Sequence, residues 1–281
     1  MEVHRTADHG RKLAILYKPG CQRQELDADP RWNPACLPVP IANALYIMHT
    51  LWPANERGGF QLDWLDSHHT FSFGEFYDPA KIHWRHLRVL NDDRIAGGGG
   101  FPLHPHRDME IFSYVDEGAL AHRDSLGNTA QITPGRVQLM SAGTGVRHSE
   151  FNPSPTDGTH LLQIWFVPKA AGGTPNYQEL GYTEKDRANK LKLLADPQGR
   201  DGAMTIRQAV QIYTATLAKG QMLALPLAAQ QGGWLQLIKG ALTLDPIGAK
   251  LSPGDGCSVE EEPKLTAHAT ANCEFLWFVF D

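Results

Sequence analysis

Two histidines one residue apart, His104 and His106, flank a proline in the stretch Gly100-Phe101-Pro102-Leu103-His104-Pro105-His106-Arg107-Asp108-Met109-Glu110. A second stretch, Met140-Ser141-Ala142-Gly143-Thr144-Gly145-Val146-Arg147-His148-Ser149-Glu150, repeats the one-residue gap with His148 and Glu150. On an extended strand, residues i and i+2 share a face. Pro105 fixes its own φ and biases His104 toward extended geometry. Each stretch would therefore aim two ligating side chains the same way. Side by side, two such strands give a cluster of three imidazoles and a carboxylate. Imidazoles on an inward face are costly unless something binds them. Mixed nitrogen and carboxylate donors without a thiol suit Fe(II), Mn, Ni, Cu or Zn, and the donor set does not choose among them. Four protein ligands would leave up to two positions of an octahedron open. Glu110 is a rival for the fourth place. It stands four residues beyond His106, so unbroken strand parity would bring it to the same face. Its other reading is a carboxylate that orients a ligating imidazole.

The elements that must position these residues read as short strands. Leu87-Arg88-Val89-Leu90, the run from Glu110 to Val115, Arg136 to Met140 and Leu161 to Val167 are rich in apolar and β-branched residues. They are bounded by Asn91-Asp92-Asp93, Gly127-Asn128 and Pro134-Gly135, which read as turns. A helix is expected only between Asn176 and Leu194, where Glu, Lys, Arg and Leu gather, as a short helical linker. The chain also resembles itself. Val115-Asp116-Glu117-Gly118-Ala119-Leu120, Gly127 and Pro134-Gly135 recur, at an offset of about 120 residues, as Ile238-Lys239-Gly240-Ala241-Leu242, Gly248 and Pro253-Gly254. This predicts an all-β protein of two similar domains, each a sandwich or small barrel. The first spans 48–168, a linker 169–190, and the second 191–281. The second copy lacks the ligand cluster. Pro226 and Ala228 fall where His104 and His106 stand, and His268, opposite, reads as a lone surface residue.

The 281 residues are 42% hydrophobic, carry a formal net charge of −5 and contain no Lys/Arg block, which argues against a nucleic-acid or anionic-membrane surface. No apolar run reaches the roughly 18 residues of a membrane helix. Cys21, Cys36, Cys257 and Cys273 form no CxxC pair and are expected as free thiols in a cytoplasmic protein. Residues 1–47 lack a period and are expected to be a disordered or non-native extension ahead of a natural start at Met48. Pro34 to Met48 and Ala42-Asn43-Ala44 imitate a signal peptide, but the preceding segment is too long and too acidic for one.

The motifs Trp64-Leu65-Asp66-Ser67-His68-His69-Thr70-Phe71-Ser72-Phe73-Gly74, Leu87 to Asp93, His104 to Glu110 and Met140 to Pro153 resemble the pirin family of the cupin superfamily. The resemblance is dense over about residues 55–168 and thinner beyond. It implies two cupin-type β-barrels, with one divalent metal, Fe(II) first, in the N-terminal one. It assigns the ligands to His104, His106, His148 and Glu150, and leaves Glu110 near but off the metal. It implies a dioxygenase that opens quercetin-like flavonols with O2, or else a regulatory protein whose metal senses redox state for a protein partner. For the enzyme, Glu150 or Glu110 would take a proton from a polyphenol substrate. Phe101, Met109, Phe112 and Met140 are candidates to line its pocket, while His68 and His69 read as structural or surface residues. Two barrels that cover each other suggest a monomer.

Overall fold

The strand signals become strands. A computed structural model, describing residues 48–260 and 264–281, holds two seven-stranded and two four-stranded sheets. The expectations for residues 1–47, with Cys21 and Cys36, lie outside the described residues. The first seven-stranded sheet runs Asn176–Gly181, Arg136–Ser141, Glu110–Glu117, Thr159–Phe166, Leu87–Ile95, Leu65–His69, Gly58–Gln61. Against it lies a four-stranded sheet of Gly100–His106, Val146–Phe151, Leu120–Asp124 and Thr129–Ile132. The second half repeats the plan around a central pair, Gly232–Lys239 and Cys273–Phe280, faced by Met222–Ala224, Thr266–Ala269, Leu242–Asp245 and Ala249–Leu251.

Strand parity decides what each face does. Along Glu110–Glu117, Phe112 and Tyr114 point to a core shared with Phe278, Phe280 and Trp234 of the second half. The residues between them point the other way, and Val115 packs with Leu120 and Ile132 of the facing four-stranded sheet. The two seven-stranded sheets thus press face to face, and each domain keeps its own interior on the far side. In the second domain Leu235, Leu237, Leu242, Leu244 and Trp277 fill that interior. The repeat holds in the turns as well. Gly118 and Gly240 adopt φ of +74° and +80°. A Cβ there would also run into the carbonyls of Gly158 and Asn272, so only glycine fits either corner.

Four expectations change. The domains are open sandwiches, not closed barrels, because among the described residues no ladder joins a four-stranded sheet to a seven-stranded one. The helical linker is replaced by the strand Asn176–Gly181, a single turn at Glu184–Arg187 and the strand Lys192–Asp196. Tertiary contacts override helix propensity there: Leu180 packs on the interdomain core and Tyr177 stacks on His122. Asn91-Asp92-Asp93 is no turn but the buried middle of Leu87–Ile95. Finally, Met48–Trp52 crosses over to pair with Gly256–Glu260 of the second half, and Trp52 packs 5.3 Å from both Phe71 and Trp234. Cys257 and Cys273 are free and buried, and burial pushes the Cys257 thiol up to about 12. Among the described residues, no helix is long and apolar enough to cross a membrane.

A row of alternating charges crosses the seam between domains. Arg57 meets Asp92 at 2.9 Å, His160 sits 2.7 Å from Asp92 and 2.9 Å from Asp116, and Lys239 of the second half reaches Asp116 at 2.7 Å. Burial alone would lower the His160 pKa, but hydrogen bonds to Asp116 and Asp92 overcome it and raise it from 6.5 to about 9. The imidazolium therefore stabilises the fold fully below about pH 6.5, and this contribution is lost as pH rises through about 9. Its size is about 3 kcal/mol. His160→Gln should accordingly lower the stability read from urea unfolding by about 2–3 kcal/mol at pH 6.5. The gap to wild type should shrink at pH 9.5. A gap of constant size would show that no imidazolium is held there.

Candidate metal centre

Two strands of the first four-stranded sheet build the centre. Gly100–His106 and Val146–Phe151 run antiparallel, with His148 opposite His104 and Val146 opposite His106. The register slips by one residue between His148 and Glu150, so Glu150 stands opposite Phe101. The extra residue lies on the Gly100–His106 strand, so Val146–Phe151 keeps its alternation and Glu150 faces inward with His148. The ligating atoms of His104, His106 and His148 all lie within 4.8 Å of one another. His148 also belongs to a second such group, with Glu150 and His122. Of the expected ligand set, the structure thus gathers His104, His106 and His148 in one group and places Glu150 in another that shares His148.

The nitrogens are prepared for a cation. His104 Nδ1 donates to the Pro102 carbonyl at 2.7 Å, which leaves Nε2 as the bare nitrogen. That Nε2 lies 3.0 Å from His148 Nε2. Two nitrogens bound about 2.1 Å from one ion at a right angle would be about 3 Å apart. His106 Nε2 is buried and has no hydrogen-bond partner among the described residues. Burial, with His104 beside it, lowers the His106 pKa to about 4. Burial and the neighbouring histidines lower that of His148 to about 2. Both rings are thus neutral at pH 7, as metal ligation requires. These residues fit a divalent transition metal.

Glu150 is held as firmly as a buried carboxylate can be. Gln138 Nε2 donates to one oxygen at 2.8 Å and Gln163 Nε2 to the other at 2.6 Å. Gln138 is fixed in turn by Tyr177 at 3.0 Å and Ser113 at 2.9 Å. Burial still pushes the Glu150 pKa up to about 7, against the pull of the Gln138 hydrogen bond.

Glu110 goes elsewhere. Its strand starts only after Arg107, Asp108 and Met109, and Asp108 has a φ of +50°. The turn resets parity, so the i+4 spacing carries no face. Glu110 shares the parity of Phe112, and its carboxylate accepts from Ser141 Oγ at 2.8 Å and from the Arg207 backbone N–H at 3.1 Å. It does not line the cavity beside the histidines. That cavity, about 460 Å³, is lined by Phe73, Phe101, Leu103, Ile111 and Trp165, by the three histidines and Glu150, and by the polar residues His69, Asn91 and Gln163. Of the expected lining residues only Phe101 is there. Phe112 faces the interdomain core, and Met109 and Met140 pack in a satellite cluster.

Sequence reasoning missed His122, Gln138, Gln163 and the cavity position of His69. His122 is buried, stacks on Tyr177 at 4.7 Å and approaches Asp124 at 3.3 Å. The available signal was a glutamine at the centre of each of two apolar strands, Arg136–Ser141 and Thr159–Phe166. His68 is partly exposed beside Asp66 at 3.3 Å, as expected, whereas His69 is buried and lines the cavity. In the second copy His268 faces away from the interior: it pairs with Met222, which is 59% exposed, while its neighbours Ala267 and Ala269 are buried among Leu225, Leu227 and Leu265.

Comparison with known proteins places this geometry. The pirin family model matches residues 53–166. A quercetin 2,3-dioxygenase of Escherichia coli (strain K12) is 44% identical over 225 residues, 80% of this chain and 95% of the relative. The chain belongs to the pirin family. Within it, the chain is quercetin 2,3-dioxygenase-like. The quercetinase C-terminal cupin domain model matches residues 193–279, so both domains are cupin-type. A pirin-like protein of Caulobacter vibrioides is 39% identical over 225 residues, 80% of this chain and 96% of the relative. The structure of the bacterial pirin YhhW from Escherichia coli in complex with nickel(II) superposes with a TM-score of 0.78 at 42% identity. It covers 83% of this chain and 99% of that one.

Metal content tests the cluster. Nickel-loaded wild-type protein should retain about one ion per chain after desalting, and His106→Ala less than roughly 0.2. His268→Ala should match wild type. Full retention by His106→Ala would remove His106 from the ligand set.

Proposed function

We propose that this pirin is a metal-dependent dioxygenase that opens the ring of a quercetin-like flavonol with O2. Its metal would be held by His104, His106, His148 and Glu150, with Fe(II) the first candidate and Mn, Ni, Cu or Zn the others. One observation carries the reading: three imidazoles and a buried carboxyl line one cavity whose walls also carry Phe73, Phe101 and Trp165. When bound, the metal would supply Lewis-acid polarisation of a substrate hydroxyl. The remaining work falls to the chain.

Phe73 and Trp165 meet edge to face at 5.5 Å, and Trp64 braces Phe101 at 5.4 Å. These walls favour a flat aromatic ring over water, and a cavity of about 460 Å³ is within the usual range for small-molecule sites. Glu150 is the base. Its two oxygens already accept from Gln138 and Gln163, which fixes the carboxyl plane before a substrate hydroxyl arrives. Transfer of that proton to Glu150 leaves the negative charge on the substrate oxygen, beside the histidines. Glu110 has no part in the step, because its carboxylate is tied to Ser141 and Arg207 in the interdomain seam.

Oxygen uptake by protein loaded anaerobically with iron provides the test. Quercetin should start uptake in wild type and in Glu110→Gln, the two agreeing within about threefold, and uptake should vanish in His106→Ala. No quercetin-dependent uptake by wild type with iron bound would defeat the dioxygenase reading. It would leave the alternative of a protein whose metal reports redox state to a partner.

A further inference from the structure

A single register row crosses the inner face of the first seven-stranded sheet and is polar from end to end. His69 stands opposite Asn91, Asn91 opposite Gln163, Gln163 opposite Ser113, and Ser113 opposite Gln138. Buried polar side chains in such a row are normally satisfied. One half is: Gln163, Ser113 and Gln138 hydrogen-bond one another and hold Glu150. The other half is not. His69 and Asn91 are 3% and 4% exposed, and His69 Nδ1 and Asn91 Oδ1 have no hydrogen-bond partner among the described residues. The Phe73 backbone approaches the His69 ring as a weak hydrogen-bond acceptor would and raises its pKa against the larger effect of burial, but the geometry falls short of a hydrogen bond to Nδ1. Both residues line the cavity that holds the histidine cluster.

We propose that His69 and Asn91 form a recognition subsite for an aromatic hydroxyl group, distinct from the hydroxyl that meets the metal. This rests on the polyphenol reading above and names which part of the molecule the far wall of the cavity reads. The hydrogen-bond chain behind His69 supports it. Ser67 Oγ donates to Asp93. Its only proton is thus committed, and His69 Nε2, 2.8 Å away, must be the donor to Ser67. Neutral His69 then presents a bare Nδ1 to the cavity, next to the acceptor Oδ1 of Asn91. Two acceptors side by side ask for donors. If the Asp93–Ser67 chain runs the other way, Nδ1 becomes a donor, and a hydroxyl still answers because it both gives and accepts. A hydrocarbon ligand would leave both atoms buried and unpaired, which disfavours it. Asn91 neighbours Gln163, which holds Glu150, so the subsite continues directly from the proposed base.

The experiment compares two probes that share the hydroxyl next to the ring carbonyl and differ in the rest. They are 3-hydroxyflavone and quercetin, titrated by fluorescence under nitrogen against nickel-loaded protein. Wild type should prefer quercetin. Asn91→Leu and His69→Phe should each weaken quercetin binding by roughly three- to tenfold while leaving 3-hydroxyflavone within about twofold. Nickel content and thermal unfolding of each variant establish that fold and metal are intact, and either variant alone suffices if the other fails to fold. Equal losses for both probes, or an unchanged preference for quercetin in a folded variant, would overturn the subsite while leaving the dioxygenase reading standing. Wild type that binds quercetin no better than 3-hydroxyflavone would also overturn it. Wild type that binds neither probe would remove the polyphenol reading, and the subsite with it.

Discussion

The two seven-stranded sheets press against each other, and that contact settles which face of every central strand is left for chemistry. Side chains alternate along a strand, so once Phe112, Leu162, Ile164 and Phe166 are taken up by the interdomain core, Ile111, Ser113, Gln163 and Trp165 must face the interior of the first sandwich. A one-residue slip would exchange the two sets and put glutamines into the seam. The position of the candidate centre is therefore fixed by apolar packing on the opposite side of the same sheet, some distance from any ligand.

The interior so defined is where the two copies part. In the second domain the corresponding space is filled by leucines and Trp277. In the first, polar residues line it, and each needs a partner. Gln138 and Gln163 find theirs in Glu150, and His104 finds one in the Pro102 carbonyl. The imidazoles do not all find partners: His104 and His148 meet at 3.0 Å, but His106 Nε2 is left over. A buried nitrogen without a partner costs roughly 1–3 kcal/mol, and a cation shared by several such nitrogens removes that cost for all of them. The same logic explains why the copy needs no metal. Leu225, Leu227, Leu265 and Ala267 fill its interior, leaving no nitrogen there to satisfy.

Much of this was legible in the sequence, in an uneven way. Strand alternation, the internal repeat and the two histidine stretches are local patterns, and local patterns set strands, turns and the pairing of His104 with His148. Glu110 shows where a local pattern stops. Its spacing from His106 was right, but spacing conveys a face only while the strand is unbroken, and Asp108 at φ +50° breaks it. Asn91-Asp92-Asp93 fails for the opposite reason. Its composition reads as a turn, yet each polar group faces a defined environment made by distant residues: His160 and Arg57 for Asp92, Ser67 for Asp93. Such partners are set by register across the sheet, which a single sequence does not print. The crossover of Met48–Trp52 into the second half's sheet is a tertiary choice of the same kind.

The degenerate domain then has a physical purpose that needs no site of its own. A sandwich whose interior holds neutral imidazoles, a carboxyl raised to about 7 and a cavity of about 460 Å³ gives up packing that an apolar core would have. Each unfilled or unpaired position weakens it by an amount comparable to a sizeable fraction of a domain's net stability. The seam offsets this loss from behind. Trp234, Phe278 and Phe280 bury fully against Phe112 and Phe166, the immediate chain neighbours of Ile111 and Trp165 on the cavity wall. Tyr114 and Arg187 close on Glu274 at 2.6 and 2.8 Å nearby. Rigidity is thus supplied on the face that does no chemistry, to strands whose other face must stay open for a ligand. A first domain cut away from the second would expose that apolar sheet face to water and lose the restraint on its cavity together with its stability.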